Sequence, residues 1–273
     1  QALTFSNFGD LKMGSRYPKK YPDFGRRTQY IQTVNGVDQL LTNDDDRVQK
    51  FSGYKQWDLL GKLQYKPNST QSHQLNIQHS NSTNVPRYDR LQDKKVFPGI
   101  GNTLRWATWY YGPQTRWLAS YEWNSSQSKI ADEIRIVAGY QDIKESRQQR
   151  EYLAYTRFDS RREHIRVASF NWDAKEKWND QELIIGVDGQ FNFLKSVADR
   201  TNLLTRVVTP LDSRYPNGDN QMHLVGVYGQ HLAKLKKGKL ILNDGLRFQL
   251  TNLRSTIADN SFFQFPFTSI RQN

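Results

Sequence analysis

Read at every second residue, the stretch from Trp109 to Trp123 (WYYGPQTRWLASYEW) separates into two sets of side chains. Its odd positions are Trp109, Tyr111, Pro113, Thr115, Trp117, Ala119, Tyr121 and Trp123; its even positions include Gln114, Arg116, Ser120 and Glu122. A period of two predicts a β-strand with two different faces. One face carries large aromatics at both ends with small residues between them, and the other carries charge. A sandwich strand concentrates its bulk mid-strand, against a core. A strand crossing a bilayer instead places amphipathic rings at its two water interfaces. The pattern predicts a strand spanning an outer membrane.

The alternation recurs along the chain. In Tyr54–Tyr65, Trp57, Leu59, Gly61, Leu63 and Tyr65 face one way and Gln56, Asp58, Lys62 and Gln64 the other, with Leu60 the exception. Leu75 and Ile77 oppose Gln74, Asn76 and Gln78, and Ile134, Ile136, Ala138 and Tyr140 oppose Glu133, Arg135 and Gln141. Apolar rows follow at Leu183, Ile185, Val187, Phe191 and Phe193, and at Leu240, Leu242, Leu246, Phe248 and Leu250. The segment Ile165–Trp172 keeps no single phase, which predicts a bulge there.

The connections alternate in length. Short polar turns are expected at 66–72, 124–129, 173–179 and 234–239, and long aperiodic loops near 14–26, 86–105, 144–162 and 194–220. That alternation describes an all-β, antiparallel, up-and-down transmembrane β-barrel with about ten strands in this chain. No amphipathic helix offers the crossovers that a parallel sheet requires. An open wall would leave two bare strand edges in lipid, so residues 1–273 are expected to form part of a larger barrel. A small complete porin- or adhesin-like barrel is the first alternative, and a soluble all-β ligand-binding domain the second.

Composition narrows the chemistry. Mean hydropathy is −0.82, and no run reaches the length of a membrane helix, about 18 apolar residues. Barrels show lipid only their alternate residues, so low hydropathy does not exclude a membrane. Cysteine is absent, which removes disulfides, thiol nucleophiles and thiolate metal sites. His73, His79, His164, His223 and His231 include no i, i+4 pair, and neither a metal site nor a cofactor is expected. The net charge of +12 asks for an anionic partner. Lysine and arginine are nonetheless dispersed, without a recognition helix, RNP or zinc-finger pattern, so no nucleic acid is expected. Basic loops facing outer-membrane lipid and lipopolysaccharide, or an anionic ligand, fit better. The opening QALTFSNFGDLKMG lacks the basic and apolar regions of a signal peptide, as expected of a mature chain or a fragment.

The runs NSTNVPRYDRL (81–91), WYYGPQTRWLASYEW (109–123) and AGYQDIKESRQQREY (138–152) occur in a particular order and spacing. With NGVDQLLTNDDDRVQKFSGYKQWDLLGKLQY (35–65) before them and FPFTSIRQN (265–273) after, they resemble TonB-dependent outer-membrane receptors of the Bacteroidota type over nearly the whole chain. The resemblance implies a barrel of about 22 strands around a plug domain. It also implies import of an iron chelate, haem, cobalamin or a glycan into a Gram-negative bacterium, driven by TonB. No plug, TonB box or terminal strands stand in the sequence. The chain is therefore expected to be the first part of the wall, with the plug, the remaining strands and a small nutrient as partners, and TonB acting through the plug.

Among candidate ligand contacts, Arg87, Tyr88, Asp89 and Arg90 stand first: two guanidiniums flank a phenol, and arginine forks suit carboxylates and anionic chelates. Internal pairing with neighbouring acids is the plainer alternative for them. Gln114, Arg116, Arg135 and Gln141 are expected to face the lumen or the plug. Trp57, Tyr65, Trp109, Tyr111, Trp117, Tyr121 and Trp123 are expected in the membrane girdles. A cation held by the acidic run at 43–46 lacks the glycine and distal glutamate of a calcium loop. No nucleophile–base pair or phosphate loop is present, so the chain reads as a non-enzyme.

Overall fold

A computed structural model describes residues 1–16, 19–262 and 264–272. Tyr17 and Pro18, within the loop expected at 14–26, and Phe263 and Asn273, near the C-terminus, lie outside the described residues. The strands are β1 (Ala2–Phe8), β2 (Gln29–Val34), β3 (Val37–Thr42), β4 (Tyr54–Tyr65), β5 (Gln71–Ser82), β6 (Val85–Pro86), β7 (Lys94–Phe97), β8 (Gly101–Leu104) and β9 (Trp106–Tyr111). They continue with β10 (Thr115–Ser126), β11 (Glu133–Glu151), β12 (Phe158–Trp178), β13 (Gln181–Thr201), β14 (Val208–Pro210), β15 (Asp219–Leu235), β16 (Leu240–Thr256) and β17 (Ser269–Gln272).

One antiparallel sheet dominates, in the order β1-β4-β5-β10-β11-β12-β13-β15-β16-β17, with β6, β9 and β14 paired beside that path. β2–β3 and β7–β8 form separate hairpins. Sheet neighbours follow chain order, and the inserted short strands all sit in the long connections. An up-and-down meander with turns short on one side and long on the other is what the sequence pattern implied.

Registered rows show why these residues make this sheet. Directly paired residues share a face. One row runs Leu63, Leu75, Tyr121, Ala138, Phe170, Gly189, Val225 and Leu250 from β4 to β16. The adjacent row runs Lys62, Asn76, Ser120, Gly139, Ser169, Gln190, Leu224 and Thr251. The first lies on an apolar outer face, the second on a largely polar inner face. Leu246 and Phe248, 87% and 63% exposed, belong to the outer face, and rows of exposed large apolar groups call for an apolar covering. Buried apolar packing is small by comparison. It centres on Ala131, Ile134 and Ala174, with Trp123, Ile136 and Trp172 against them.

The structure corrects three expectations. Ile165–Trp172 contains no bulge: β12 pairs β11 and β13 without a register shift. The phase change arises because Ile165 sits between Ile143 and Leu194 on the inner face, an apolar patch where polarity was expected. The stretches 144–162 and 194–220 are in large part strand, since β11 and β12 are joined only through 152–157 and β13 continues to Thr201. Their polar side chains hid a ladder that runs on beyond the apolar belt. Most consequentially, Trp109–Trp123 is two strands. Thr115 pairs with Lys144 but Tyr111 with Arg147, so four steps along β9–β10 match three along β11. The extra residue reverses the face. Gly112, at φ +92°, occupies the break, its N–H bonded to the Ser146 carbonyl and its carbonyl to the Ser146 hydroxyl.

Candidate functional site

The belt of the outer face is edged by rings. Toward the long connections stand Trp57 and Trp117, with His79 between them at ring separations of 4.4 and 3.9 Å. Toward the short turns stand Tyr65, His73, Tyr121 and Trp123, with the His73 Nδ1 2.7 Å from the Tyr121 hydroxyl. Five of the seven residues expected in girdles thus share the outer face. Trp109 and Tyr111 do not, because the break at Gly112 turns them to the inner face.

Gln114, Arg116, Arg135 and Gln141 were expected on the inner side. Arg116 and Gln141 sit on inner rows and are joined by a 2.8 Å hydrogen bond. Arg135 is paired with Glu122 at 3.1 Å. Arg247 and Asp188 make a further inner pair at 2.6 Å. Gln114 and Arg116, with Gln56, Asp58 and Ser80, line a recess of about 500 Å³ on this wall. The inner face is a hydrogen-bonded polar surface with most of its charge internally matched.

Beyond the belt, on the long-connection side, the inner face carries the strongest candidate. The Arg87 guanidinium donates to both Asp89 carboxylate oxygens, at 2.8 and 2.7 Å, and to the Tyr111 hydroxyl at 2.7 Å. It lies 5.1 Å from the Trp109 ring and 5.3 Å from the Tyr111 ring. Arg147 approaches the same two rings at 5.6 and 5.1 Å, and Trp109 and Tyr111 meet edge to face at 5.2 Å. Two cations over two electron-rich rings form a compact, pre-positioned group. Asp89 holds Arg87 above its ordinary pKa, and Arg87 holds the Asp89 carboxyl below its own. Arg147 makes no ion pair among the described residues, and its buried Nε has no hydrogen-bond partner. Its Nη2 reaches the Tyr111 hydroxyl at 3.5 Å, and its charge acts on the buried Glu163 carboxyl without an ion-pair contact, so the group presents a guanidinium beside an indole face, an arrangement that suits a planar anion.

The structure does not gather Arg87, Tyr88, Asp89 and Arg90 into one group. Arg87 and Asp89 enter the group; Arg90 is half exposed and pairs with Asp93 at 3.5 Å, and Tyr88 is exposed. Sequence reasoning gave Arg147 to a solvated, mutually paired basic hairpin rather than to a ligand contact, and put its two rings on the other face. The available signal was the Gly112–Pro113 dipeptide, a turn mark inside an otherwise strand-like run.

A second buried polar group fixes the hairpin β2–β3 to the wall. Arg150 donates two 2.6 Å bonds to Asp38 and one of 2.9 Å to Thr33, while the Leu153 N–H donates to Asp38 at 2.9 Å. Burial would raise the Asp38 pKa; the bonds from Arg150, Thr33 and Leu153 outweigh it and hold the carboxyl below its ordinary value. Nearby, Asp45 and Asp46 of the acidic run pair with Lys12 and Arg26.

No protein-family model and no curated protein matches the sequence. Among solved structures the chain is similar to the copper transporter OprC, at 14% identity and a TM-score of 0.56, over 74% of this chain and 29% of that one. It is also similar to the ferric citrate transporter FecA in its unliganded form, at 15% identity and a TM-score of 0.48, over 77% and 31%. The chain thus spans under a third of the length of either transporter. At such identity the likeness to OprC is one of fold: this all-β antiparallel sheet is built as a stretch of transporter-barrel wall.

Proposed function

We propose that the chain forms part of the wall of an outer-membrane transporter of the TonB-dependent type, importing a small anionic nutrient complex into a Gram-negative bacterium. The observation that carries the reading is the two-faced register. A continuous apolar belt edged by rings covers the outer face, and a polar, internally bonded surface covers the inner one. The fold shared with a copper transporter barrel supports it. In this reading the inner wall meets a plug and further strands complete the barrel. TonB acts through the plug, and lipid and lipopolysaccharide surround the belt.

Within that frame, Arg87, Trp109, Tyr111 and Arg147 form the ligand contact above the membrane. Their chemistry selects an anionic, flat-faced ligand such as a carboxylate-bearing chelate, bound by guanidinium forks and ring stacking. The test is uptake and binding by the intact protein in its membrane. Arg147→Gln and Trp109→Ala are expected to weaken binding of the transported complex while leaving outer-membrane insertion unchanged. Unaltered binding in both variants removes the ligand assignment; an intact protein that fractionates as soluble removes the transporter reading.

A further inference from the structure

One row nearer the belt than Arg147, the inner face buries an acid. Glu145, Glu163 and Ser196 are consecutive partners across β11, β12 and β13. The adjacent outward row, Lys144, His164 and Lys195, already lies beyond the apolar belt. The chain at 211–218 straps over these inner positions. The Leu211 N–H donates to the Ala198 carbonyl at 3.1 Å. Arg161 donates to the Asp212 carbonyl and carboxylate at 3.1 and 3.0 Å, and Arg214 reaches Glu145 at 3.5 Å. Under this strap Glu163 is 3% exposed and Ser196 1%.

Three guanidiniums, of Arg147, Arg161 and Arg214, stand among three carboxyls, of Glu145, Glu163 and Asp212. Arg161 pairs with Asp212, and Arg214 with Glu145. Arg147 and Glu163 remain, and neither makes an ion pair among the described residues. They are diagonal neighbours on one face, with Cβ atoms roughly 7–8 Å apart, close enough for charge to act without contact. The Glu163 carboxylate accepts a 3.5 Å bond from the Ser196 hydroxyl. Burial raises the Glu163 pKa and Glu145 adds to the rise; Arg214, Arg147 and Ser196 oppose it, and the balance stays above the ordinary carboxyl value. Other charges nearby are already matched. Arg87 is paired with Asp89 on the far side of Arg147, and Arg200 of β13 with Asp159. His164 stands on the opposite face beside Asp142.

We propose that Glu163 makes anion capture at Arg147 proton-linked: the bound anion and the Glu163 carboxylate compete for one guanidinium, and binding draws a proton onto Glu163. The assignment rests on the ligand contact proposed above and adds its regulation. With Glu163 ionised, the three carboxyls match the three guanidiniums, and a further anion meets no net attraction. With Glu163 protonated, one positive charge is left for the ligand. The coupling is reciprocal, so an anion bound beside Arg147 tightens the hold of Glu163 on its proton. Because burial already favours the neutral acid, the switch operates above the pH at which exposed carboxyls titrate.

The test uses the intact protein in nanodiscs and a naphthalene disulfonate, a flat anion whose own charge does not change with pH in this range, read by titration calorimetry. Wild type is expected to bind it at least about fivefold tighter at about pH 5 than at about pH 8. Binding should take up as much as about one proton per anion, seen as a heat that changes with the ionisation enthalpy of the buffer. Glu163→Gln, neutral at every pH, is expected to bind tightly throughout and to take up no proton. His164→Gln is expected to keep the wild-type pH dependence. Wild-type binding without pH dependence or proton uptake overturns the proposal with no variant needed, and leaves the ligand contact standing. A Glu163→Gln protein that keeps the dependence, or a His164→Gln protein that loses it, overturns it as well. Failure of wild type to bind the disulfonate at any pH overturns the ligand contact, and this coupling with it.

Discussion

The half of the sheet that carries the apolar belt and the half beyond it use the same ladders but different glue. In the lower half, alternation decides everything: one face is apolar from β4 to β16, the other polar, and little apolar mass is buried within the chain itself. In the upper half neither face carries a continuous apolar row. There β11, β12 and β13 continue as strands, and order comes from arginines: Arg150 on Asp38, Arg87 and Arg147 over Trp109 and Tyr111, Arg161 on Asp212 and Arg200 on Asp159. Two environments impose two codes on one sheet. In the proposed membrane reading, the side that meets lipid requires alternation, whereas with water on both sides pairing by charge suffices and periodicity disappears.

The largest expected effect breaks the upper code. Asp38→Asn leaves Arg150 buried beside a neutral partner, and breaking a buried pair in this way costs about 3–5 kcal/mol. Hydrogen exchange should then show loss of protection in β2–β3 while β12 and β13 stay protected. Acid should act on the same pair. The Asp38 carboxyl is held below its ordinary value of 3.8, so its folded form binds a proton less readily than its unfolded form. The pair's stabilisation is complete above that ordinary value and is lost as pH falls through the lowered one. Protection of β2–β3 is expected to be level from pH 7 to 5 and to drop below about pH 4.

A comparable effect breaks the lower code. Val187→Arg places a charge in the middle of the outer belt, at a cost of about 2–4 kcal/mol, whereas Asn76→Arg on the inner face should be tolerated. Folding into lipid vesicles, followed by heat-modifiable migration, separates the two. A smaller effect sharpens the site: Arg147→Gln should weaken binding of an anionic chelate by about tenfold, consistent with loss of a desolvated cation–ring contact. The smallest is Arg90→Gln. Its exposed 3.5 Å pair with Asp93 is worth under about 1 kcal/mol, and neither stability nor ligand binding should move measurably.

How much the sequence disclosed follows the same division. Trp57, Tyr65, Trp117, Tyr121 and Trp123 fall where their phase puts them, and the segments read from alternation lie in β4, β5, β9–β10, β11, β13 and β16, whereas β1, β15 and β17 of the main path were not read from it. Arg116 and Gln141 share the inner side for the same reason. The misreadings cluster above the belt or at its inner surface. Trp109 and Tyr111 obey the parity of their own strand but not that of β10, because a single extra residue at the Gly112 break reverses every face beyond it. Arg147 could not be singled out, since its run, ESRQQRE, has polar residues on both faces. Arg150 and Asp38 stand 112 residues apart, and only the folded hairpin brings them together.

The most direct measurement is site-directed spin labelling of the intact protein in bilayers; residues 1–273 contribute no native cysteine. Labels at Ala119, Tyr121, Ala138 and Val227 report on the outer face, and labels at Ser120, Gly139 and Gln141 on the inner face. Outer positions are expected to collide with dissolved oxygen in the lipid, and inner positions with a water-soluble nickel chelate. The absence of alternation between 119 and 120, or between 138 and 139, would contradict the two-faced wall.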